Sequence, residues 1–138
     1  MTKLSISIEA PPAKDTLSVI DKGLDVYNAQ FSPAHWEEFA VALKTDDGEV
    51  KGGISALAWS GLLFIKWLWI DEAHRRGGHG RALMAAAEAE GRRRGCSVIA
   101  LDTFEFQARP FYEKLGFSVF GTLDYPAGFK RYYLQKAL

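Results

Sequence analysis

The order of patterns along this chain predicts a mixed α/β domain, a twisted sheet with helices on its faces. Three observations carry that prediction. In the first half, runs of strand-like residues are separated by tight turn signals, the mark of an antiparallel meander. A glycine-rich segment, Arg75–Ala82, joins an apolar strand to a helix. The second half then runs strand, helix, strand, a crossover that makes the sheet mixed.

Taken in order, Leu4-Ser5-Ile6-Ser7-Ile8 alternates as a half-buried strand does, and Pro11-Pro12 ends it. Asp15 is placed to cap a helix running to about Ala29, with Leu17, Ile20, Leu24 and Tyr27 at three- and four-residue spacing. Ser32-Pro33 opens a short irregular or helical piece through His35 and Trp36. Phe39–Leu43 and Val50–Trp59 read as strands joined by an Asp46-Asp47-Gly48 hairpin turn. Gly52-Gly53 marks a bulge or a close backbone approach. After the Ser60-Gly61 turn, Leu62–Ile70 is a nearly continuous apolar run, expected to be a strand buried on both faces.

Arg81–Arg94 reads as a helix whose Ala82, Leu83, Ala86, Ala87 and Glu90 share a face, the alanines allowing close approach to a sheet. Arg92, Arg93 and Arg94 suit the negative end of its dipole, and Gly95 suits the position just past it. That makes the arginine run a solvated helix end rather than a nucleic-acid patch. Ser97–Thr103 is a strand, Ala108–Leu115 a short helix stopped by Gly116. Val119–Leu123 and Arg131–Gln135 are strands about a Pro126-Ala127-Gly128 turn.

Composition narrows the function classes. The 138 residues suit a single domain, 1–138, and 17 basic residues against 17 acidic ones leave no global field for nucleic acid or an anionic membrane. Cys96 is the single cysteine, which excludes an intrachain disulfide and reads as a buried thiol. His35, His74 and His79 form no metal constellation, so no metal is expected. The N-terminal residues lack a signal-peptide apolar core, and no run is long enough to span a bilayer, so a cytoplasmic location is the expectation.

The chemistry concentrates at Arg75-Arg76-Gly77-Gly78-His79-Gly80-Arg81-Ala82. A helix N-terminus presents unpaired N–H groups and a positive dipole end, so it binds phosphate. Glycines let the backbone approach a pyrophosphate where a Cβ would intrude. A nucleoside-triphosphate loop would need Lys-Ser/Thr after the last glycine, and Arg81-Ala82 is not that pair. A dinucleotide fingerprint would need glycine at position 83, where Leu83 stands.

The run resembles the pyrophosphate loop of the GNAT acetyltransferase superfamily, Gln/Arg-x-x-Gly-x-Gly/Ala, matched by Arg75, Gly78 and Gly80. Ala108-Arg109-Pro110-Phe111-Tyr112-Glu113-Lys114-Leu115-Gly116-Phe117 is similar to that family's second signature, and Leu68-Trp69-Ile70 to its apolar strand. The likeness is close from Leu62 to Leu138. It implies an α/β GNAT-like fold, a mixed twisted sheet of about seven strands with about four helices, splayed between Leu62–Ile70 and Ser97–Thr103. It implies acetyl-CoA as cosubstrate, its pyrophosphate on the N–H groups of Gly78, His79, Gly80, Arg81 and Ala82, with Arg75, Arg76 and Gly77 flanking. The pantetheine would follow the backbone of Leu68, Trp69 and Ile70 like an added strand. Tyr112 matches the tyrosine placed near the thioester sulfur, where a hydroxyl can protonate the leaving thiolate. Ala108 belongs to the cofactor signature. The implied reaction is acetyl transfer to a primary amine of a small molecule or peptide. A homodimer is a family-based expectation.

Two departures stand out. Glu105 occupies a position where the family often has a cofactor-contacting asparagine. The buried strand carries no acid, so the base is open among Glu37, Glu38, Asp102 and Glu105. A non-catalytic acyl-CoA-binding domain of the same fold is the alternative. Trp67 and Trp69 point to one side of their strand and Leu68 and Ile70 to the other, as a core, an interface or an acceptor wall.

Overall fold

The computed structural model describes residues 2–138. The chain divides into two units, one ending at Ala34 and one spanning His35–Leu138.

The first unit holds helix α1 (Lys14–Asn28). Its N-cap is Ala13, which has no capping side chain. Glu9 does the work expected of Asp15: one carboxylate oxygen accepts the Ala13 N–H at 3.0 Å and the other accepts the Thr16 hydroxyl at 3.0 Å. Those two bonds hold the Glu9 carboxyl below the usual range. Asp15 sits in the first turn, where its charge suits the helix dipole. Residues 4–8 form no strand, and the piece after Ser32 forms no helix. Alternation alone does not make a strand; a neighbour must take its backbone hydrogen bonds. Among the described residues, six strands and three α-helices therefore stand where about seven and about four were expected.

The second unit is a six-stranded sheet: β1 (Glu37–Lys44), β2 (Val50–Trp59), β3 (Leu62–Ile70), β4 (Val98–Phe104), β5 (Ser118–Asp124) and β6 (Lys130–Ala137). Their spatial order is β1-β2-β3-β4-β6-β5. Only β3 and β4 are parallel, because helix α2 (His79–Arg93) carries the chain back between them. Helix α3 (Arg109–Lys114) links β4 to β5. The turns follow their sequence signals: Gly48, Gly61, Gly95, Gly116 and Gly128 all have positive φ. Gly52 and Gly53 mark close approach, since a Cβ on Gly52 would lie 2.7 Å from the Trp69 carbonyl and one on Gly53 would lie 2.4 Å from the Val41 carbonyl.

One irregularity reorganises β3. Trp67 pairs with Ser55 and Ile65 with Ala56, leaving Lys66 as the extra residue of a β-bulge. A one-residue insertion switches which face each later side chain takes. Leu63 and Ile65 are buried in the core, and beyond the bulge Leu68 and Ile70 continue that core face. Trp67 and Trp69 consequently share the opposite face with Phe64. The expectation of burial on both faces does not hold: Leu63 and Ile65 are buried, but on the other face Phe64 is half-buried and Trp67 and Trp69 are more than half exposed.

α2 covers the core face with Leu83, Met84, Ala87, Glu88 and Gly91. The expected face was displaced by about one position: Ala82 and Ala86 are exposed. Close approach comes from Gly91, where a Cβ would lie 2.6 Å from a Leu63 methyl. The buried Glu88 is accommodated by Lys136, whose Nζ lies 2.6 Å from the carboxylate and also donates to the Leu115 carbonyl at 2.9 Å. Cys96 is buried in the core, and burial raises its thiol pKa. Arg94 reaches Glu90 and Glu37 at 2.7 Å each, so the arginine run ties the end of α2 to β1 as well as meeting solvent.

Candidate active site

The parallel pairing of β3 with β4 stops at Ile65 and Leu101. Beyond it the strands part, as expected, and a cleft of about 780 Å³ lies between them. That volume falls within the range of small-molecule sites. The edge of β3 facing β4 is left without a strand partner from residue 66 to 70, so its backbone groups are available to a ligand.

Leu68, Trp69 and Ile70 line this cleft, as do Arg75, Ala108 and Tyr112. Arg75 is fastened to the strand end, its Nε donating to the Ile70 carbonyl at 2.9 Å. Arg76 (φ 66°) and Gly78 (φ 80°) are both in the left-handed conformation, which folds the loop back into the first turn of α2. Gly78 is the N-cap and has no side chain to satisfy the N–H groups it precedes. The N–H groups of Gly78, His79, Gly80 and Arg81 belong to the set a helix start leaves free. Ala82 does not: its N–H donates to the Gly78 carbonyl at 3.1 Å, so this expected donor is already used inside the helix. Gly80 has a packing reason too, since a Cβ there would lie 3.2 Å from the Phe111 ring. Gly77 is overlain by the imidazole of His79, 3.1 Å from where its Cβ would be.

Tyr112 is buried between Phe111 and Phe117, with ring centroids at 5.1 and 5.9 Å. Burial first, and the negative charge of Asp102 second, push its hydroxyl up to about 12. It is therefore a proton donor at any ordinary pH.

The candidate bases separate cleanly. Glu37 is held by Arg94 at the far end of α2. Glu105 accepts the Lys130 N–H at 3.3 Å and donates its own N–H to the Lys130 carbonyl, so it closes the β4–β6 end. Neither it nor Glu38 lines the cleft, whereas Asp102 does. Six further cleft residues carried no assignment from sequence: the apolar Phe64 and Phe104, and the polar Lys66, Thr103, Gln107 and Arg131. Gln107 accepts from the Phe104 N–H at 2.8 Å and from the Thr103 hydroxyl at 3.2 Å, locking the turn into α3. Arg131 grips Asp102 through Nε at 3.2 Å and a terminal nitrogen at 3.0 Å. The separation of 29 positions between those partners explains why pattern reading passed over the pair.

An open mixed sheet is thus split where its one parallel pair ends, with a buried tyrosine and an arginine from the loop before α2 lining the gap. The acetyltransferase (GNAT) family model matches residues 12–117. An acetyltransferase of Agrobacterium fabrum is 35% identical over 101 residues, covering 72% of this chain and 74% of its own. The blasticidin-S acetyltransferase of Streptomyces morookaense is 34% identical over 104 residues, covering 74% and 76%. The crystal structure of an acetyltransferase from Bacillus cereus has a TM-score of 0.85 at 28% identity, covering 98% of both chains. The chain belongs to the GNAT family of acetyltransferases.

Proposed function

We propose that the protein transfers an acetyl group from acetyl-CoA directly to a primary amine. The observation that carries this reading is the cleft itself: an unpaired β3 edge, a buried tyrosine and Arg75 meet around one opening. The start of α2 does not line that opening but packs beside it, where a Cβ on Gly80 would lie 3.6 Å from Ile70. The pyrophosphate sits on the N–H groups of Gly78, His79, Gly80 and Arg81, with Arg75 and Arg76 supplying charge. The pantetheine arm runs along Leu68–Ile70 as an extra strand beside β3. The acceptor first gives its ammonium proton to solvent, and the free amine nitrogen then forms the new C–N bond as the C–S bond breaks. The nitrogen's second proton leaves through solvent, and the departing thiolate, met by the Tyr112 hydroxyl, ends as the thiol. Binding of the cosubstrate does the positioning, holding the thioester within reach of an amine entering the gap.

Calorimetric titration with acetyl-CoA, beside NAD and ATP, tests the reading. The expected result is selective acetyl-CoA binding that is lost in Gly80→Glu, together with thiol release from acetyl-CoA on adding primary amines. A preference for NAD or ATP, or no acetyl-CoA binding, overturns it.

A further inference from the structure

The register of the sheet sorts the cleft into two sides. Leu101 faces the core beside Ile65 and Leu134, so Asp102 and Phe104 point the other way, along with their β6 partners Tyr133 and Arg131. The bulge at Lys66 brings Trp67 and Trp69 to that same side. Thus the side remote from α2 carries aromatic walls on both parted strands and one carboxylate between them. Among the described residues, Asp102 is the single acid lining the cleft.

We propose that Asp102 receives the ammonium group of the acceptor, that Arg131 positions it, and that the acceptor is a primary amine on an aromatic or otherwise planar apolar body. This deepens the acetyl-transfer reading and rests on it. Both Arg131 contacts go to Oδ1, leaving Oδ2 free to accept from an incoming ammonium. Each of the three guanidinium nitrogens has a partner. A third nitrogen donates to the Tyr125 hydroxyl at 3.2 Å, and the group lies over the Phe104 and Tyr133 rings at 5.4 and 5.2 Å. An arginine held on so many sides fixes the carboxylate rather than competing for the substrate. Trp69, more than half exposed, and the face of Trp67 away from Lys66, whose Nζ lies over that ring at 4.6 Å, offer stacking surfaces to a flat body and ring faces to its cation. Phe104, stacked on Phe106 and lying under the Arg131 guanidinium, adds an apolar wall. Phe104 is backed by Phe106 at 5.3 Å and by Phe129 at 5.7 Å, so that wall is rigid. A diamine is disfavoured because its second cation would share the cleft with Lys66 and Arg131.

The test compares three amines: 2-phenylethylamine, putrescine, and O-benzylhydroxylamine, whose amino group is uncharged at neutral pH. The expected order of kcat/KM places 2-phenylethylamine at least tenfold above putrescine. Asp102→Asn should lower kcat/KM for 2-phenylethylamine by about 10- to 100-fold, mostly through KM, the range for one charged hydrogen bond. The same variant should leave O-benzylhydroxylamine within about threefold and acetyl-CoA affinity unchanged, which a folding defect would not do. Arg131→Met should raise the KM of the charged amine in the same manner, and Arg131→Lys should recover part of the loss. Equal losses on charged and uncharged amines, or no loss on either, overturn the role of Asp102. Preference for putrescine, or turnover of none of the three, overturns the acceptor class. Acetyl-CoA titrated into the same samples separates these outcomes from loss of the cosubstrate, and thiol release with any primary amine, as tested above, separates failure of this acceptor class from failure of the acetyl-transfer reading.

Discussion

Tyr112→Phe removes one oxygen from a buried ring and leaves its packing against Phe111 and Phe117 in place. Its cost to catalysis follows from the pKa. The hydroxyl is pushed from 10.0 to about 12, chiefly by burial. A thiol of ordinary pKa, about 8.5, is the stronger acid by about 3.5 units, so complete proton transfer from Tyr112 to the thiolate is uphill by about 5 kcal/mol. The hydroxyl therefore acts as a hydrogen-bond donor to charge building on sulfur, with the proton passing late or by way of solvent. A single donor to developing charge in a water-poor site contributes about 10²- to 10³-fold, and the mismatched pKa favours the lower figure. Tyr112→Phe should thus lose about 10²-fold in kcat with KM for acetyl-CoA nearly unchanged, measured as thiol release with an amine that the wild type accepts. A kcat within threefold of wild type would refute the reasoning, and so would a loss confined to KM.

Stability offers two further checks. In Gly52→Ala the new Cβ would lie 2.7 Å from the Trp69 carbonyl oxygen and 3.0 Å from the Ile70 Cα. Both are backbone atoms that no rotamer change can move, so urea denaturation should show a loss of about 2–3 kcal/mol, and acetyl-CoA should bind more weakly because the shifted strand lines the cleft; an unchanged midpoint would contradict the close β2–β3 approach. The second check is alkaline. Folded Tyr112 keeps its proton to about pH 12, whereas in the unfolded chain it is released near 10. Its contribution is therefore fully present below about pH 10 and is lost as pH rises towards 12, with an upper bound of about 3 kcal/mol. Between those values the wild type should lose stability more steeply than Tyr112→Phe, and parallel urea midpoints in the two proteins would show the burial argument to be wrong.

Much of this molecule is legible in its sequence because the signals are local. The bounds of β3, the turns at Gly48, Gly61 and Gly128, and the glycine-rich entry to α2 all follow from rules that span a few residues. The tyrosine signature and the loop gave the family for the same reason, since each is a contiguous motif. Local pattern failed wherever a distant partner decides the outcome. Alternation at residues 4–8 predicted a strand that does not form, because pairing is a property of two segments. Glu88 is charged yet buried, because Lys136 arrives from the last strand to meet it. The bulge at Lys66 cannot be read from Leu62–Ile70 alone, for it is defined by which β2 residues lie opposite. It nevertheless decides that the tryptophans face the cleft. Pattern and spacing determined the class of fold and the loop, and the resemblance of two contiguous motifs pointed to the family. Only the tertiary structure puts Asp102, alone of the four acids, on the cleft, since register across β3, β4 and β6 sets which side chains share a face, and that register is fixed by hydrogen bonds between strands far apart in the chain.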